Sequence, residues 1–334
     1  VPRHDENEAL ADDLKGQDVK FIYTTAYPAP ASFGVSVFRE LLNGKYDLVH
    51  SQGFTSAICA VLPCAILFKR HLVTSHDVLN HDQFRGLKGC LKKFVLNLSL
   101  RSARLVHSVS HDAQANLLSF LPGLDKQRCL VIQNGIETKR FVSATAKKLR
   151  TESGDEGAFL IGFFGRFMGQ KGFRYLVDAV EILSEDNSLE QKPLVMAFGG
   201  GGFVNREKRT IEVRGLSRYF RFMQFEANIA GAIKGVDAVV VPSLWEACPL
   251  LPMEVLTTGT PLIATDCIGL REVVKGAPVF QVPVRDAMAL AAAIGKVMFL
   301  ESRRLLDEYV DVAADRYDVE KQASSLQALY SRLV

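Results

Sequence analysis

The 334-residue sequence lacks any uninterrupted apolar run close to the roughly 20 residues that a membrane-spanning helix needs. Its most apolar stretch, residues 56–68, is short and contains Pro63. The chain begins Val-Pro-Arg-His-Asp, which is neither a signal peptide nor an initiator methionine. We therefore expect a soluble or peripheral protein, and we expect that further residues precede this start.

The sequence also lacks an excess of charge of one sign. Lysine and arginine number 40 against 37 acidic residues, which gives a net charge of +3. That balance is too small to predict general binding to nucleic acid or bulk attraction to an acidic surface. Nucleic acid is therefore not expected as a partner, and any basic binding site must be local.

Cysteine motifs are absent as well. The six cysteines form no CxxC pair and no histidine-flanked metal spacing. Without such a framework we expect neither a zinc site nor disulfides, and the thiols are predicted to be buried small hydrophobes in a reducing compartment. The six are Cys59, Cys64, Cys90, Cys129, Cys248 and Cys267.

What the sequence does contain is a regular alternation of short apolar runs with helical patterns. Its hydrophobic fraction of 48% suits a sizeable core, and its length suits about two domains. This alternation predicts an α/β protein with parallel sheets and crossover helices, with strands covered on both faces. The predicted strands are residues 19–24, 47–50, 71–75, 105–109, 130–132, 159–164, 194–198, 220–222, 238–241, 262–265 and 279–282.

A polar, charged segment over residues 144–157 separates two halves of similar organisation. It contains glycine, lacks an apolar stripe and follows an Asn-Gly turn signal. We therefore predict a first domain over 1–143, a linker over 144–157 and a second domain over 158–310. Apolar residues at helical spacing predict that the chain ends in packed helices over 311–334.

The most informative segment, residues 239–274, reads VVVPSLWEACPLLPMEVLTTGTPLIATDCIGLREVV. The pattern is a buried strand, a loop, a helix that ends at a glycine, and a second strand. The free N–H groups and positive dipole end of the first helical turn suit a diphosphate. Glu246 and Glu254 bracket that turn, where carboxylates are suited to accept hydrogen bonds from sugar hydroxyls. Two glutamates without this setting would be ordinary solvent-exposed residues.

A second motif, IGFFGRFMGQKGFRYLVDAV, covers residues 161–180. A strand leads through a turn at Gly165 to Arg166 and Lys171, which flank a loop that enters an amphipathic helix. Two cations at the carboxyl end of a strand can neutralise a diphosphate and stabilise it as a leaving group. The alternative interpretation is an ordinary basic loop between a strand and a helix.

These two motifs resemble the Glu-x7-Glu and Gly-Arg-x4-Lys-Gly signatures of glycosyltransferase family 4, whose members are retaining nucleotide-sugar enzymes. The resemblance spans nearly the whole chain. It implies the GT-B fold, in which two Rossmann-like domains face each other across a cleft, with the donor bound by the C-terminal domain and the acceptor by the N-terminal domain. Members normally begin with a strand and a Gly-Gly loop, so the N-terminal domain of this chain is expected to be truncated.

The resemblance also implies roles for individual residues. Arg166 and Lys171 would grip the donor phosphates. Glu246 would contact the donor sugar and Glu254 the ribose. The implied catalytic residues are His76, Arg166, Lys171 and Glu246. The implied donor-binding residues are Gly165, Arg166, Lys171, Gly199, Glu246, Cys248, Pro249, Leu250, Leu251 and Glu254.

His76 and Gly199 depend on the resemblance more than the other residues do. His76 follows the strand of the VTSHD segment, where a Rossmann-like sheet presents ligands, but a lone histidine is more often structural. The family's histidine at this place faces the donor sugar. Gly199 starts a run of four glycines where the family has a shorter glycine turn near the base, and a flexible loop explains this run nearly as well.

We therefore predict a retaining hexosyltransferase that moves a sugar from a nucleotide diphosphate-sugar to a glycan, lipid-linked or small-molecule acceptor. No cofactor and no metal are expected, because the two cations supply the charge that a metal would provide. Two alternatives stay open: a nucleotide-sugar epimerase, which would turn over its substrate without an acceptor, and a catalytically impaired nucleotide-sugar-binding protein. The lack of a cysteine framework, which is typical of a reducing compartment, predicts a cytoplasmic location.

A basic stretch over residues 84–104 combines apolar residues with lysines and arginines. An amphipathic basic helix of this kind can lie on an anionic membrane. The alternative is a helix that packs on the core and exposes a basic face. Some family members use lipid-linked acceptors, which favours peripheral contact with the cytoplasmic face of a membrane.

Overall fold

The computed structural model describes residues 14, 16–23, 30–224, 226–299 and 303–334. The chain divides into two compact units. Unit 1 consists of Val1–Val109, Gln114–Val131 and Gln327–Val334, and unit 2 consists of Ser110–Ala113 and Ile132–Leu326. Each unit contains one parallel β-sheet with helices between its strands, which confirms the predicted α/β class.

Unit 1 contains a four-stranded sheet in the order β1-β2-β3-β4, with all neighbours parallel. Its core forms between the sheet and the helices that connect the strands, and includes Val73, Leu96, Leu100 and Val106. The elements up to the end of this sheet are α1 (Pro30–Asn43), β1 (Leu48–Gln52), α2 (Phe54–Ile66), β2 (Arg70–Ser75), α3 (Gly86–Ser102), β3 (Leu105–Ser108), α4 (His111–Phe120) and β4 (Cys129–Val131).

One predicted strand is wrong. Residues 19–23 form no strand, and residue 24 lies outside the described residues. Val19, Ile22 and Tyr23 are exposed. The apolar run suits a strand, but a strand also needs a neighbouring strand for its backbone hydrogen bonds, and residues 19–23 pair with none of the strands in the described part of the chain.

Unit 2 contains a six-stranded parallel sheet in the order β10-β9-β8-β5-β6-β7. This is the doubly wound Rossmann order, whose direction reverses between β5 and β8. The elements are α5 (Thr138–Val142), α6 (Leu149–Ser153), β5 (Phe159–Phe164), α7 (Phe173–Glu185), β6 (Pro193–Phe198), α8 (Val204–Val213), β7 (Phe220–Met223), α9 (Ile229–Lys234), β8 (Ala238–Val241), α10 (Leu251–Thr258), β9 (Leu262–Thr265), α11 (Leu270–Val273), β10 (Phe280–Val282) and α12 (Ala287–Phe299).

The strands of unit 2 agree with the sequence prediction to within a residue. β5, β6, β8 and β9 are buried at every position, as expected for strands covered on both faces. On one side α7 and α12 pack together over the sheet. In a doubly wound sheet, ligands bind outside the carboxyl ends of the strands at the reversal, so the loops after β5 and β8 are the candidate site.

Residues 144–157, the predicted linker, lie within unit 2. The segment contains the short helix α6, and Leu149 is fully buried. Arg150 forms an ion pair with Asp237 (Nη2 to Oδ2, 2.6 Å). Two further ion pairs, Lys147 with Glu226 and Asp155 with Arg221, also attach this polar segment to the unit.

The chain ends in two helices as predicted, α13 (Arg303–Arg316) and α14 (Val319–Leu333). Between them Tyr317 is buried, and its hydroxyl donates to the carbonyl of Val273 at 2.7 Å. No helix in the described part of the chain is both long and apolar enough to cross a membrane.

The prediction that all six cysteines are buried is wrong for two of them. All six are free thiols, but Cys90 is exposed and Cys129 is half-buried. Cys90 lies on α3, a helix that also exposes several large apolar residues. On this helix an apolar side chain is therefore not a sign of burial in the core.

Candidate active site

The loop after β5 carries Arg166 on a firmly anchored backbone. Phe167, the next residue, is buried against Phe163 and Phe173, with ring centroids 5.5 and 4.9 Å away. Arg166 itself is exposed, and its guanidinium forms no ion pair within the described residues. The buried aromatic ring therefore fixes the loop and leaves the cation available to a ligand.

The glycine-rich turn after β6 supports this loop. The amide of Phe167 donates to the carbonyl of Gly200 at 2.8 Å, and that of Gly165 donates to Phe198 at 3.0 Å. At Gly199 φ is +131°, and an added Cβ would lie 2.1 Å from the carbonyl oxygen of Gly165. Close backbone approach therefore explains this glycine, while its predicted contact with the donor stays a prediction.

The loops after β5 and β8 also contact each other. The amide of Leu244 donates to the carbonyl of Gln170 at 2.8 Å, and the Gln170 side chain donates to the carbonyl of Trp245 at 2.8 Å. Gly172 has a φ of +66°, and a Cβ there would lie 1.9 Å from the carbonyl oxygen of Pro242. Only glycine lets α7 begin this close to the end of β8.

Lys171 and Glu246 meet at this junction. Lys171 Nζ lies 2.7 Å from Glu246 Oε1, and Ser243 Oγ donates to the same oxygen at 2.7 Å. Gln170 Nε2 lies 3.5 Å from Oε2, at the limit of a hydrogen bond. The Glu246 side chain is only 8% exposed and that of Lys171 is 29% exposed. The structure thus brings a predicted phosphate-binding residue and a predicted sugar-binding residue together.

Between Glu246 and Leu251, two backbone carbonyls accept hydrogen bonds from side chains, and several amides stay unbonded in the described part of the chain. Ser110 Oγ donates to the carbonyl of Ala247 at 2.5 Å, and Asn134 Nδ2 donates to that of Cys248 at 3.2 Å. The amides of Cys248, Leu250 and Leu251 have no acceptor within the described residues. Free amides at the start of α10 suit an anion.

Burial keeps the thiol of Cys248 neutral. Loss of solvent raises its pKa to about 12. At neutral pH the side chain is therefore not a thiolate nucleophile, and the backbone amide is the group this residue offers to an anion.

Glu254 lies in the first turn of α10. Burial raises the pKa of its carboxyl to about 7, and the nearby positive charge of Arg140 opposes that rise. The carboxylate has no hydrogen-bond or ion-pair partner within the described residues. A half-buried acceptor of this kind is suited to hydroxyl donors from a ligand.

His76 belongs to unit 1. Its ring nitrogen Nε2 lies 2.7 Å from Oε1 of Gln52, at the end of β1. Although part of the ring is exposed, partial burial lowers the pKa of His76, against an opposing effect of Asp77. The side chain is therefore neutral at pH 7 and oriented by Gln52.

The described residues bring together no group of three or more histidine, cysteine, aspartate or glutamate side chains able to hold a metal ion. Metal independence stays a prediction.

Comparison with known proteins connects this geometry to a family. A model described as "Glycosyltransferase Family 4" matches residues 2–140, and one described as "Glycosyl transferases group 1" matches residues 158–298. The chain belongs to glycosyltransferase family 4. It is a glycosyltransferase with the GT-B fold, which confirms the predicted family and fold class.

Two relatives of this family 4 chain match most of its length. It is 27% identical to a D-inositol 3-phosphate glycosyltransferase of Corynebacterium urealyticum, over 86% of this chain and 72% of that one. It is 23% identical to the Escherichia coli UDP-Gal:alpha-D-GlcNAc-diphosphoundecaprenol alpha-1,3-galactosyltransferase, over 90% and 79%.

Solved structures of glycosyltransferases share the fold. HepE of Anabaena, crystallised with UDP-glucose, superimposes with a TM-score of 0.82 at 20% identity, over 97% of this chain and 89% of that one. Sucrose-phosphate synthase of Thermosynechococcus elongatus superimposes with a TM-score of 0.80 at 20% identity, over 96% of this chain and 82% of that one. At this identity the likeness shows the fold alone, and the roles of individual residues stay predictions.

Sequence reasoning did not single out Gln170, Ser243 or Gln52. Gln170 and Ser243 hold Glu246, and Gln52 orients His76. Ser243 stands directly at the end of β8, which is the one signal that could have drawn attention to it. The partners of Gln170 and Gln52 depend on loop geometry that the sequence does not display.

Proposed function

We propose that this glycosyltransferase moves a sugar from a nucleotide diphosphate-sugar to a glycan, lipid-linked or small-molecule acceptor. Retention of anomeric configuration and independence of metal are part of the proposal. The observation that carries it is the cluster of Lys171, Glu246 and Ser243 beside the free amides of α10, at the reversal point of a Rossmann sheet.

The leaving group determines the charges that the site needs. A departing diphosphate accumulates negative charge, which Arg166, Lys171 and the amides of Leu250 and Leu251 would stabilise. These groups would take the place of a divalent cation. Full transfer activity in EDTA is the expected result, and activity that returns only with added Mg²⁺ or Mn²⁺ would contradict this part.

The two glutamates would bind the two ends of the donor. Glu246, beside Lys171, would accept hydrogen bonds from sugar hydroxyls. Glu254, eight residues on and half-buried without a partner among the described residues, would accept them from the ribose. Retention would follow from attack on the face that the diphosphate leaves, with the leaving phosphate assisting the acceptor. We assign no protein nucleophile.

The base is proposed from the named ligands of similar proteins. HepE was crystallised with UDP and UDP-glucose, and the Escherichia coli relative is named for UDP-Gal. Uridine diphosphate-sugars are therefore the first donors to test. His76 of unit 1 stays a proposed catalytic residue, with its imidazole oriented by Gln52.

A thermal-shift screen of nucleotide-sugars followed by a transfer assay tests the proposal. Lys171→Ala is expected to abolish transfer, and full activity of that variant would remove the assignment. Conversion of a nucleotide-sugar without an acceptor would indicate the epimerase alternative. Binding without any turnover would indicate a non-catalytic protein.

We also propose that unit 1 contacts an anionic membrane surface through α3. Leu87, Leu91, Phe94 and Leu98 are 91, 63, 64 and 55% exposed, and their spacing places them on one face of the helix. Leu96 and Leu100 of the same helix are buried. The helix carries three lysines and one arginine and no acidic residue. An outward apolar face with basic flanks suits an interface with anionic lipid, at the cytoplasmic side of a membrane.

A further inference from the structure

In the structure Lys171, a proposed phosphate-binding residue, is already paired with Glu246. Glu246 is fixed by Ser243 and approached by Gln170, and its side chain is nearly buried. Lys171 is the more exposed partner and has the long, flexible side chain. If the pair separates, Lys171 is therefore the residue that moves.

We propose that Glu246 is a specificity-determining residue that withholds Lys171 from a diphosphate unless a sugar is attached to it. The inference rests on the proposed function. With donor bound, sugar hydroxyls would donate to Glu246 and replace the ammonium group, so that Lys171 turns to the phosphates. After transfer, Glu246 loses those hydroxyls and takes Lys171 back. The product nucleoside diphosphate is then held less tightly than the donor.

The physical reason is competition for one cation. A phosphate that recruits Lys171 must replace a charge-assisted hydrogen bond of 2.7 Å to a carboxylate with little access to water. It also approaches the negative charge of that carboxylate. Hydroxyl donors reduce both penalties, and a diphosphate without a sugar brings none. Arg166 has no such partner among the described residues, so it is available to both ligands.

Inorganic pyrophosphate is the probe, because it tests the diphosphate subsite whatever the base. Calorimetry compares wild type with Glu246→Gln, which removes the charge but keeps the size of the side chain. Release of Lys171 is expected to tighten pyrophosphate binding about tenfold, the effect of one such hydrogen bond. In a Lys171→Met background the same change is expected to bring a clearly smaller gain, because only the repulsion by the carboxylate is then removed.

A matched control separates release of Lys171 from a general change in charge. Glu181 on α7 pairs with Arg214, so Glu181→Gln breaks an ion pair and changes the net charge by the same amount. It is expected to leave pyrophosphate affinity unchanged. If Glu246→Gln does not fold, Glu246→Asp serves instead, because the shorter side chain withdraws from Lys171 and should also tighten binding.

A second readout concerns selectivity. The ratio of UDP-glucose to UDP affinity is expected to fall in Glu246→Gln, because the variant binds UDP better and the sugar worse. Pyrophosphate binding equal to or weaker than wild type in both folded variants would overturn the inference. If sugar transfer is intact in wild type, the proposed function survives that outcome. No pyrophosphate or nucleotide binding by any variant, wild type included, would overturn both.

Discussion

The carboxyl group of Glu254 is half-buried and has no partner among the residues that the structure describes. Burial raises its pKa to about 7, so the fold stabilises the neutral acid. A raised pKa contributes stability that is present below the unfolded value near 4.5 and lost as the pH rises through 7. Glu254 therefore destabilises the folded, ligand-free protein most under mildly alkaline conditions, in which its carboxylate is charged.

Glu254→Gln is expected to raise the melting temperature at pH 8 by at least about 2 °C, since the glutamine cannot ionise. At pH 5, where the wild-type group is neutral, the two proteins should melt within a degree or so of each other. Differential scanning fluorimetry at the two pH values measures this. A variant that melts lower than wild type at pH 8 would contradict the assigned environment of Glu254.

Folding favours the neutral form of Glu254, whereas donor binding should favour its charged form. A carboxylate is the stronger acceptor for ribose hydroxyls, so wild-type affinity is expected to fall several-fold as the pH drops from 8 to 6. Glu254→Gln should bind donor weakly and with little dependence on pH over that range. Calorimetry across the range measures both curves, and a pH-dependent donor affinity that persists in Glu254→Gln would rule out Glu254 as its cause.

At the scale of elements, the site depends on two loops that approach at the backbone. Gly172→Ala is expected to lower donor affinity at least tenfold or to prevent folding, because its Cβ would overlap the carbonyl of Pro242 and φ is positive. Gly200→Ala is the matched control, since a Cβ there meets nothing within 4 Å and φ is not positive. Melting curves and donor titration of both variants measure the effect, and equal behaviour would contradict the proposed role of loop contact.

The outward apolar face of α3 gives a second prediction at this scale. Leu91→Glu or Phe94→Glu should greatly reduce co-sedimentation with vesicles rich in phosphatidylglycerol, because each removes apolar burial and adds repulsion. Val213→Glu is the control, since it places the same charge on an exposed apolar residue of α8. Unchanged sedimentation of the α3 variants, or a wild type that stays in the supernatant, would contradict the proposal.

Sequence reasoning predicted the elements of unit 2 well and those near the start of the chain less well. Fully buried strands such as β5 and β8 produce apolar runs that leave little choice of register. Residues 19–23 have a similar composition, but pairing decides whether a run becomes a strand. For α3, periodicity predicted the helix but left open whether its apolar residues 87, 91, 94 and 98 face outward or pack on the core, because the pattern does not say which face meets the sheet.

The sequence predicted the charged residues of the candidate site but not the contacts between them. Lys171 and Glu246 follow from motifs with defined spacing on either side of helix starts. Their pairing with each other depends on the short distance between two loops distant in sequence, which Gly172 permits. The orientation of His76 by Gln52 similarly joins the ends of β1 and β2.

On the scale of the whole molecule, the two units should respond differently to acid. His71 is buried in β2, and His50 in β1 bonds Tyr330 and Thr74 at 2.7 and 2.6 Å. Burial lowers the pKa of each histidine to about 4, with nearby histidines adding to the effect at His50. The two histidines therefore contribute to the free energy of unfolding of unit 1 above pH 6.5. This contribution is lost as the pH falls towards 4, because the histidines of the unfolded chain take up protons first.

Urea unfolding can separate the units because Trp245, the single tryptophan, lies in unit 2. Between pH 7.5 and 5, part of the circular dichroism signal should shift to lower urea, while the tryptophan midpoint should not fall and should rise if Glu254 of unit 2 becomes neutral over that range. Each histidine can contribute up to about 3 kcal/mol. His50→Asn and His71→Asn should reduce that shift. A tryptophan midpoint that falls together with the whole dichroism curve would contradict the assignment to unit 1.

The account depends most on the position of one pyrophosphate. A crystal structure of this chain with UDP tests it directly. The account predicts both phosphates at the reversal between β5 and β8, with Arg166 and the amides of Leu250 and Leu251 within hydrogen-bond distance and the ribose at Glu254. A nucleotide bound with its phosphates away from all of these groups would contradict it.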